Sequence, residues 1–183
     1  MGQPQRQRMS LDEFLAWEEH EDSRFEFVDG DVFLMAGGTE AHDTVRLSIA
    51  STLRGKLSPG PCRAQLDLKL VCPNGRSRYP DVAVVCGPRD PKATRLTDPV
   101  ALVEVLSPST RATDYLVKST DYGSVASVAV YLIVDPNEHR VDVLRRVDGV
   151  FEPQPQFEGL EARIELPEIG IELTLAEIYA DAG

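Results

Sequence analysis

Hydrophobic and polar residues alternate along the chain at two spacings, which predict where helices and strands lie. Residues 10–20 begin with the capping-box pattern S-L-D-E at Ser10 and continue with apolar residues at helical spacing, so a short amphipathic helix is predicted from residue 11 to about residue 20. From residue 42 to about residue 57 apolar residues step by four, which predicts a second helix that ends before an S-P-G-P breaker. Between these helices, the Asp29-Gly30 pair flanked by alternating apolar residues indicates a hairpin.

The middle of the chain changes to strand patterns. A-Q-L-D-L-K-L-V from Ala64, Y-P-D-V-A-V-V from Tyr79 and V-A-L-V-E-V-L from Val100 predict three strands. The last two are nearly continuous apolar runs, which are typical of strands covered on both faces. S-P-S-T at residues 107–110 ends the third strand and supplies cap residues for a helix predicted over residues 111–122. V-A-V-Y-L-I-V-D-P then predicts another buried strand.

The C-terminal third predicts a closing hairpin and a short final helix. Residues 140–147 and 150–152 flank an Asp148-Gly149 turn, and T-L-A-E from Thr174 has the form of a helix cap. The order of elements suits an α/β fold in which helices flank a mixed β-sheet, with a helix and a hairpin added at the N-terminus. We expect a single domain over residues 10–183, preceded by a disordered tail at residues 1–9.

Composition bears mainly on the cellular compartment. The 183 residues are 42% hydrophobic and 27% charged, which excludes collagen-like, coiled-coil and wholly disordered classes. The three cysteines are odd in number, widely spaced and without a C-x-x-C pair, so they indicate neither a disulfide framework nor a thiolate zinc site and fit a reducing compartment. Uninterrupted apolar runs are too short to span a bilayer. We therefore expect a cytoplasmic protein with no membrane contact.

The net charge of −11 argues against a protein coated in basic side chains that binds any polyanion. The charge is uneven, however, because residues 61–124 hold 9 basic and 7 acidic side chains, a net of +2, while the two flanks together carry −13. An anionic ligand is therefore expected to bind the middle segment. Composition alone leaves open that this difference is an ordinary fluctuation between segments.

Two acidic residues interrupt the apolar strand patterns. Glu104 shares a strand face with Leu102 and Leu106, and Asp81 stands at the start of its apolar run. A buried carboxylate needs a cation, a network of donors or a raised pKa. Two such acids on neighbouring strands can share a magnesium ion, which takes one or two carboxylates and keeps several waters. For each residue alone the simpler interpretation is structural: Glu104 as a strand-end acid that faces solvent or pairs with an arginine, and Asp81 as an aspartate that caps a turn. The two acids together, followed by S-P-S-T, favour the metal site.

These segments resemble a known family. Y-P-D-V-A-V-V, P-V-A-L-V-E-V-L-S-P-S-T, D-Y-L-V-K-S-T-D-Y and Y-L-I-V-D-P are similar to the Uma-type family of putative restriction endonucleases, within the PD-(D/E)XK nuclease superfamily. F-E-F-V-D-G and the His42 region also match, so the resemblance covers residues 10–178, with E-V-L-S-P-S-T and the upstream P-D as its most specific part. The resemblance implies a restriction-endonuclease-like mixed sheet and a metal-dependent phosphodiesterase.

The resemblance also implies a set of catalytic residues. Asp81 and Glu104 correspond to ligands of Mg²⁺, for which Mn²⁺ is a possible substitute, and Glu26 to a third acid. Strand alternation leaves open whether Glu26 faces inward or outward. The superfamily's lysine normally stands two residues after the second acid, where this chain has Leu106, and the resemblance points instead to Lys118 on the following helix.

Four further residues are weaker candidates. Asp114 and Tyr122 share a helix face with Lys118 at four-residue steps, although a plain surface ion pair between Asp114 and Lys118 is the simpler interpretation. Lys69 is a second choice for the missing strand lysine. His42 follows a Gly-Gly-Thr loop and is a candidate proton carrier, although a lone histidine is more often structural.

The sequence thus predicts a magnesium-dependent endonuclease that hydrolyses DNA phosphodiester bonds. The alternative is a catalytically inactive protein of the same fold that binds nucleic acid or a protein partner, as Leu106 and the acidic flanks suggest. An enzyme that acts on a smaller phosphoester is a further alternative. A homodimer is expected from the superfamily, since cutting both DNA strands requires two sites.

Overall fold

The computed structural model describes residues 8–35, 37–107 and 111–182, with the backbone alone for residues 111–114. The predicted caps at residues 108–110 and most of the predicted tail lie outside these ranges. Within them the chain forms four helices: α1 (Leu11–Glu18), α2 (Glu40–Leu57), α3 (Arg111–Gly123) and α4 (Leu175–Ile178). The strands of the same ranges are β1 (Phe25–Val28), β2 (Asp31–Leu34), β3 (Cys62–Gln65), β4 (Leu70–Val71), β5 (Ser77–Arg78), β6 (Val82–Cys86), β7 (Pro99–Val105), β8 (Val130–Asp135), β9 (Arg140–Val147), β10 (Val150–Pro153), β11 (Phe157–Glu158), β12 (Arg163–Leu166) and β13 (Ile171–Thr174).

The central sheet is mixed, as predicted. Its strand order is β10-β9-β8-β7-β6-β3, with β11 also paired to β9. Strands β7 and β8 run parallel, whereas the other pairs are antiparallel. The parallel pair requires a crossover, and α3 lies in that connection. The mixed sheet with flanking helices confirms the predicted fold class.

Strand β7 shows why both faces of this sheet are apolar. Ala101, Val103 and Val105 point into a core formed with α2, the β12–β13 hairpin and α4. Leu102 and Leu106 point into a second core on the opposite face, which they form mainly with β6, β8 and the residues around the end of α3. Burial on both faces explains the nearly continuous apolar runs. Glu104 shares the face of Leu102, so its carboxylate enters the side of the sheet on which α3 packs.

A smaller sheet with the strand order β2-β1-β5-β4 is formed by strands from residues 25–78. The predicted hairpin is present, and both turn residues, Asp29 and Gly30, have positive φ angles of 52° and 93°. The capping box at Ser10 begins α1 as predicted. This sheet supplies Glu26 from β1 and Arg78 from β5, so it places two charged side chains beside the central sheet.

The strands differ from the prediction in two places. The segment from Ala64, predicted as one strand, forms β3 and β4 in different sheets, because Asp67 adopts a φ of 60° and bends the chain between them. The β12–β13 hairpin was not predicted, since its acidic residues obscure the strand pattern. In the described ranges, no helix combines the length and the apolarity that crossing a membrane requires.

The cysteines also depart from expectation. Cys62 and Cys86 face each other in the antiparallel β3–β6 pair and form a disulfide, whereas Cys72 is a buried free thiol. The separation of 24 residues concealed this pairing, because sequence spacing does not show which strands are neighbours. The cysteine pattern therefore no longer supports a reducing compartment.

Candidate functional site

Asp81 lies immediately before β6, beside Glu104 of β7. The register that pairs Val82 with Val103 sets the two acids at adjacent positions of neighbouring strands. The backbone N–H of Val105 donates to Asp81 Oδ2 at 2.8 Å, and His42 Nε2 lies 3.4 Å from the same oxygen. Burial by itself would raise the pKa of Asp81, but the contacts with His42 and Val105 hold it below its usual value. Asp81 is therefore a fixed carboxylate that favours its ionised form.

Glu104 is buried between two donors on α3. Tyr122 donates its hydroxyl to Glu104 Oε1 at 2.5 Å, and Lys118 donates to Oε2 at 3.0 Å. Burial raises the pKa of Glu104 to about 8, and the Asp81 charge adds to this, while Lys118 and Tyr122 act in the opposite direction. The four-residue step from Lys118 to Tyr122 puts both side chains on the helix face that meets the sheet.

Glu26 faces inward, which resolves the alternative that strand alternation left open. Its Oε2 accepts a hydrogen bond from Arg78 at 2.7 Å, and its Oε1 lies 3.7 Å from Lys118 Nζ. Oε1 is buried and has no hydrogen-bond partner among the described residues. Lys118 Nζ thus lies between Glu26 and Glu104.

A buried arginine network holds this arrangement, and the sequence analysis missed it. Arg78 donates to Glu26 and, at 2.7 Å, to Asp121, which is completely buried on α3 between Lys118 and Tyr122. Burial opposes the charge of Arg78, yet Glu26 and Asp121 raise its pKa. Arg76 and Asn74 also donate to Asp121. The available signal was R-S-R-Y-P-D, in which two arginines on one strand face precede Asp81.

His42 lies in the first turn of α2, next to the glycine loop. The Asp81 contact raises the pKa of His42, while its burial opposes this. Thr39 caps α2 by accepting a hydrogen bond from the His42 backbone N–H. A Cβ atom at Gly38 would lie 2.5 Å from His42 Nδ1, whereas one at Gly37 would meet no atom within 4 Å. The loop therefore allows His42 to reach Asp81 because residue 38 has no side chain.

The other weaker candidates lie apart from this site or outside the described side chains. Lys69 Nζ pairs with Glu18 of α1, whose other oxygen accepts a hydrogen bond from Tyr79. This buried pair joins α1 to the strands and does not approach Glu104 in the contacts described. The side chain of Asp114 lies outside the described part of the chain. Leu106 is buried in the apolar core on the α3 side of the sheet.

The carboxylates of Asp81, Glu104 and Glu26 are ligands that suit a hard divalent cation. Among the described residues, no group of three or more acidic, histidine or cysteine side chains is gathered closely enough to hold a metal. Two carboxylates suffice for Mg²⁺, since this ion keeps several waters. The buried Oε1 of Glu26, without a hydrogen-bond partner, is compatible with a cation nearby. Asp81 and Glu104 are thus the residues that would hold it, and it would compete with Lys118 for Glu104 Oε2.

Comparisons with known proteins find relatives in sequence and in structure. A family model described as Uma2, putative restriction endonuclease, matches residues 11–176. An uncharacterized protein of Synechocystis, slr1290, is 32% identical over 175 residues, which are 94% of this chain and 92% of that protein. A second uncharacterized Synechocystis protein, sll1609, is 28% identical over 144 residues, covering 74% of this chain and 79% of that protein.

A solved structure shares the fold. The crystal structure of a protein from Anabaena variabilis, described as a putative nuclease belonging to DUF820, superposes with a TM-score of 0.78. The superposition covers 95% of this chain and 99% of the other at 20% sequence identity. At this identity the likeness shows a common fold, and the chemistry must be argued from the residues of this chain.

Proposed function

The chain belongs to the Uma2 family of putative restriction endonucleases, and from this membership we propose that it is a metal-dependent endonuclease that hydrolyses phosphodiester bonds in DNA. Families of this type generally use a divalent metal, and we propose Mg²⁺, with Mn²⁺ as a substitute, held by Asp81 and Glu104. The proposal treats residues 10–183 as one endonuclease-like domain.

The observation that carries the proposal is the position of Lys118. Its Nζ reaches the carboxylate of Glu104 from α3, although the strand position usual for this lysine is occupied by Leu106. A lysine that is buried beside a strand carboxylate, next to a second acid on the neighbouring strand, can stabilise the negative charge that develops in phosphoryl transfer. Glu26 Oε1 lies 3.7 Å from the same Nζ, so the Lys118 ammonium group is shared between two carboxylates.

Each side chain has a defined task in the hydrolysis. A bound divalent ion would supply an acidified water and offset charge on the scissile phosphate. Lys118 stabilises the negative charge that accumulates on the phosphate oxygens, and Tyr122 and Val105 hold Glu104 and Asp81 in position. The water oxygen bonds to phosphorus, the bond from phosphorus to one deoxyribose oxygen breaks, and the proton released by the water is balanced by protonation of the leaving oxygen.

A plasmid-nicking assay tests the proposal. Purified protein is incubated with supercoiled plasmid and millimolar Mg²⁺, and nicked and linear DNA are measured on gels. Wild type and Asp12→Asn, which changes an exposed acid of α1, are expected to nick the plasmid. Asp81→Ala and Asp81→Asn are expected to be inactive, and the second keeps an acceptor for the Val105 N–H. Equal nicking by wild type and both Asp81 variants would show that the site assignment is wrong.

The alternative function is that of a catalytically inactive family member that binds nucleic acid or a protein partner. One specific observation favours it. Both oxygens of Glu104 already accept hydrogen bonds, from Lys118 and Tyr122, so a metal must compete for them. Titration calorimetry with Mg²⁺ and Mn²⁺ separates the two functions. Binding that Glu104→Gln removes supports the nuclease, whereas no heat at millimolar metal supports the inactive protein.

We extend the proposal to a homodimer, because cleavage of both strands of a duplex requires two sites. Light scattering coupled to size-exclusion chromatography measures the mass directly. A mass near 40 kDa, twice the 20.2 kDa of one chain, is expected, and a mass of one chain at micromolar concentration would contradict the dimer.

A further inference from the structure

A cleft of about 530 Å³ opens beside Asp81 and His42, and Lys118 is not among the described residues that line it. Arg24, which precedes β1, and Arg46 of α2 line this cleft. Arg46 follows His42 by four residues, so it lies one helical turn, about 6 Å, farther from Asp81 along α2. The cleft therefore leads from the proposed catalytic carboxylate to a pair of arginines.

The two arginines converge on a single carboxylate oxygen. Arg24 Nη1 and Arg46 Nη1 each lie 3.1 Å from Asp67 Oδ1, and Arg46 Nε lies 3.7 Å from Asp43. Asp67 is held at the positive-φ bend between β3 and β4. Each guanidinium group has five N–H donors, and one shared oxygen satisfies few of them. Since the side chains of Arg24 and Arg46 are 50% and 28% exposed, donors on both remain accessible to a ligand.

The same cleft has an apolar part. Leu34 at the end of β2 and Met35 also line it, and their relative exposures are 63% and 36%. Exposed apolar side chains beside arginines match the two parts of a nucleotide, since guanidinium groups bind phosphate oxygens and apolar surface covers a sugar or a base. Inorganic phosphate alone would use the arginines and leave the apolar part uncovered.

We propose that this cleft binds the DNA nucleotide next to the scissile phosphate, with Arg24 and Arg46 on its phosphate and Leu34 and Met35 against its sugar or base. The proposal rests on the proposed function, because it assumes that the scissile phosphate binds beside Asp81. It assigns Arg24 and Arg46 to substrate binding, and not to the chemical step.

The charge of the cleft makes this binding dependent on metal. Among the described residues that line it there are four aspartates and two arginines, so the formal charge is −2 when His42 is neutral. A divalent cation at Asp81 would offset that excess. DNA is therefore expected to bind more tightly in the presence of a divalent ion, and the dependence on salt is expected to come chiefly from the two arginines.

The test measures the salt dependence of DNA binding to the full chain. Fluorescence anisotropy of a labelled 20-base-pair duplex is recorded from 50 to 300 mM NaCl with Ca²⁺, which takes oxygen ligands, in place of Mg²⁺. Wild type is compared with Arg24→Gln, Arg46→Gln, the double variant and Arg54→Gln, which removes an exposed arginine elsewhere on α2. Each phosphate contact contributes about 0.9 to the slope of log affinity against log salt.

The double variant is expected to bind at least tenfold more weakly at 100 mM salt and to lose about 1 to 2 in slope, while Arg54→Gln behaves as wild type. Arg46→Lys, which retains the charge, is expected to recover most of the slope lost in Arg46→Gln. Leu34→Ser is expected to weaken binding without changing the slope. Thermal unfolding of every variant confirms that the fold is intact.

Two results would overturn the proposed nucleotide-binding cleft. In the first, the double variant shows the same slope of log affinity against log salt as the wild-type protein, and in the second the wild-type protein does not bind the duplex at all. Neither result is the same as failure of the proposed nuclease activity. If the wild-type protein binds DNA through the arginines but does not cleave it with Mg²⁺, the proposed nucleotide-binding cleft is supported and the proposed nuclease activity is contradicted. If the wild-type protein cleaves DNA but the double variant binds with an unchanged slope, the nuclease activity is supported and the nucleotide-binding cleft is contradicted.

Discussion

The Arg78 network makes a quantitative prediction about stability. Arg78 donates to Glu26 and Asp121 at 2.7 Å in a site where its side chain is 6% exposed. Arg163 donates to Glu172 at the same distance of 2.7 Å, but its side chain is 65% exposed. The two arginines thus make hydrogen bonds of equal length in opposite environments. A comparison of their removal contrasts a buried arginine that binds two carboxylates with an exposed arginine that binds one.

Replacement of Arg78 by Met leaves two buried carboxylates without their main cation. Loss of one partner from a buried ion pair costs about 3–5 kcal/mol of unfolding free energy, whereas an exposed pair contributes about 0–1 kcal/mol. For a chain of this size 1 kcal/mol corresponds to roughly 2–4 °C in Tm, so Arg78→Met is expected to lower Tm by roughly 6–20 °C. Arg163→Met is expected to lower it by at most about 4 °C.

Urea and thermal unfolding, followed by circular dichroism, measure both effects. Arg78→Lys serves as the conservative variant, and we expect an intermediate loss because an ammonium group keeps the charge but lacks the planar fork that reaches two carboxylates. If Arg78→Met and Arg163→Met lose the same free energy, within about 1 kcal/mol, the buried network does not stabilise the fold and our reasoning is refuted.

Two further predictions concern neighbours of the site. Gly38→Ala is expected to displace His42 and to reduce plasmid nicking at least severalfold, because the new Cβ would lie 2.5 Å from the His42 ring. Gly37→Ala is the control, since its Cβ would meet no atom within 4 Å, and equal nicking by the two variants would contradict the role of the loop. Burial raises the pKa of Cys72 to about 12, so at pH 8 its thiol stays protonated and is expected to react with a thiol reagent only after unfolding. Titration with a thiol reagent should count no thiols in the native protein, one after unfolding and three after unfolding with reductant. Rapid labelling of the native protein would contradict the burial of Cys72.

Much of the fold follows from local sequence. The capping box, the Asp29-Gly30 turn and the buried runs of the central strands are properties of neighbouring residues, and the structure contains each of them. The bend at Asp67 was not predictable, since a positive φ at aspartate has no strong sequence signal in a run that alternates like a strand. The Cys62–Cys86 disulfide depends on which strands become neighbours, and spacing does not reveal that.

The candidate site divides in the same way. The positions of Asp81 and Glu104 could be anticipated because acids in apolar strands are unusual, and the family resemblance pointed to Lys118. Nothing local to Arg78 indicated that it would join Glu26 to α3, because its partners are 52 and 43 residues away in sequence. Ion pairs of this kind form only when the two sheets pack together, so they are properties of the tertiary structure.

The most direct test of the central claim is the rate of DNA cleavage by Lys118→Met in a single-turnover assay with Mg²⁺. If Lys118 performs the task of the lysine that Leu106 replaces, the rate is expected to fall about 10²–10³-fold, which is the usual effect of removing one group that stabilises transition-state charge. Lys92→Met, in the exposed loop before β7, is the matched control and should keep the wild-type rate. Cleavage by Lys118→Met at the wild-type rate, or no cleavage by the wild-type protein, would contradict the account.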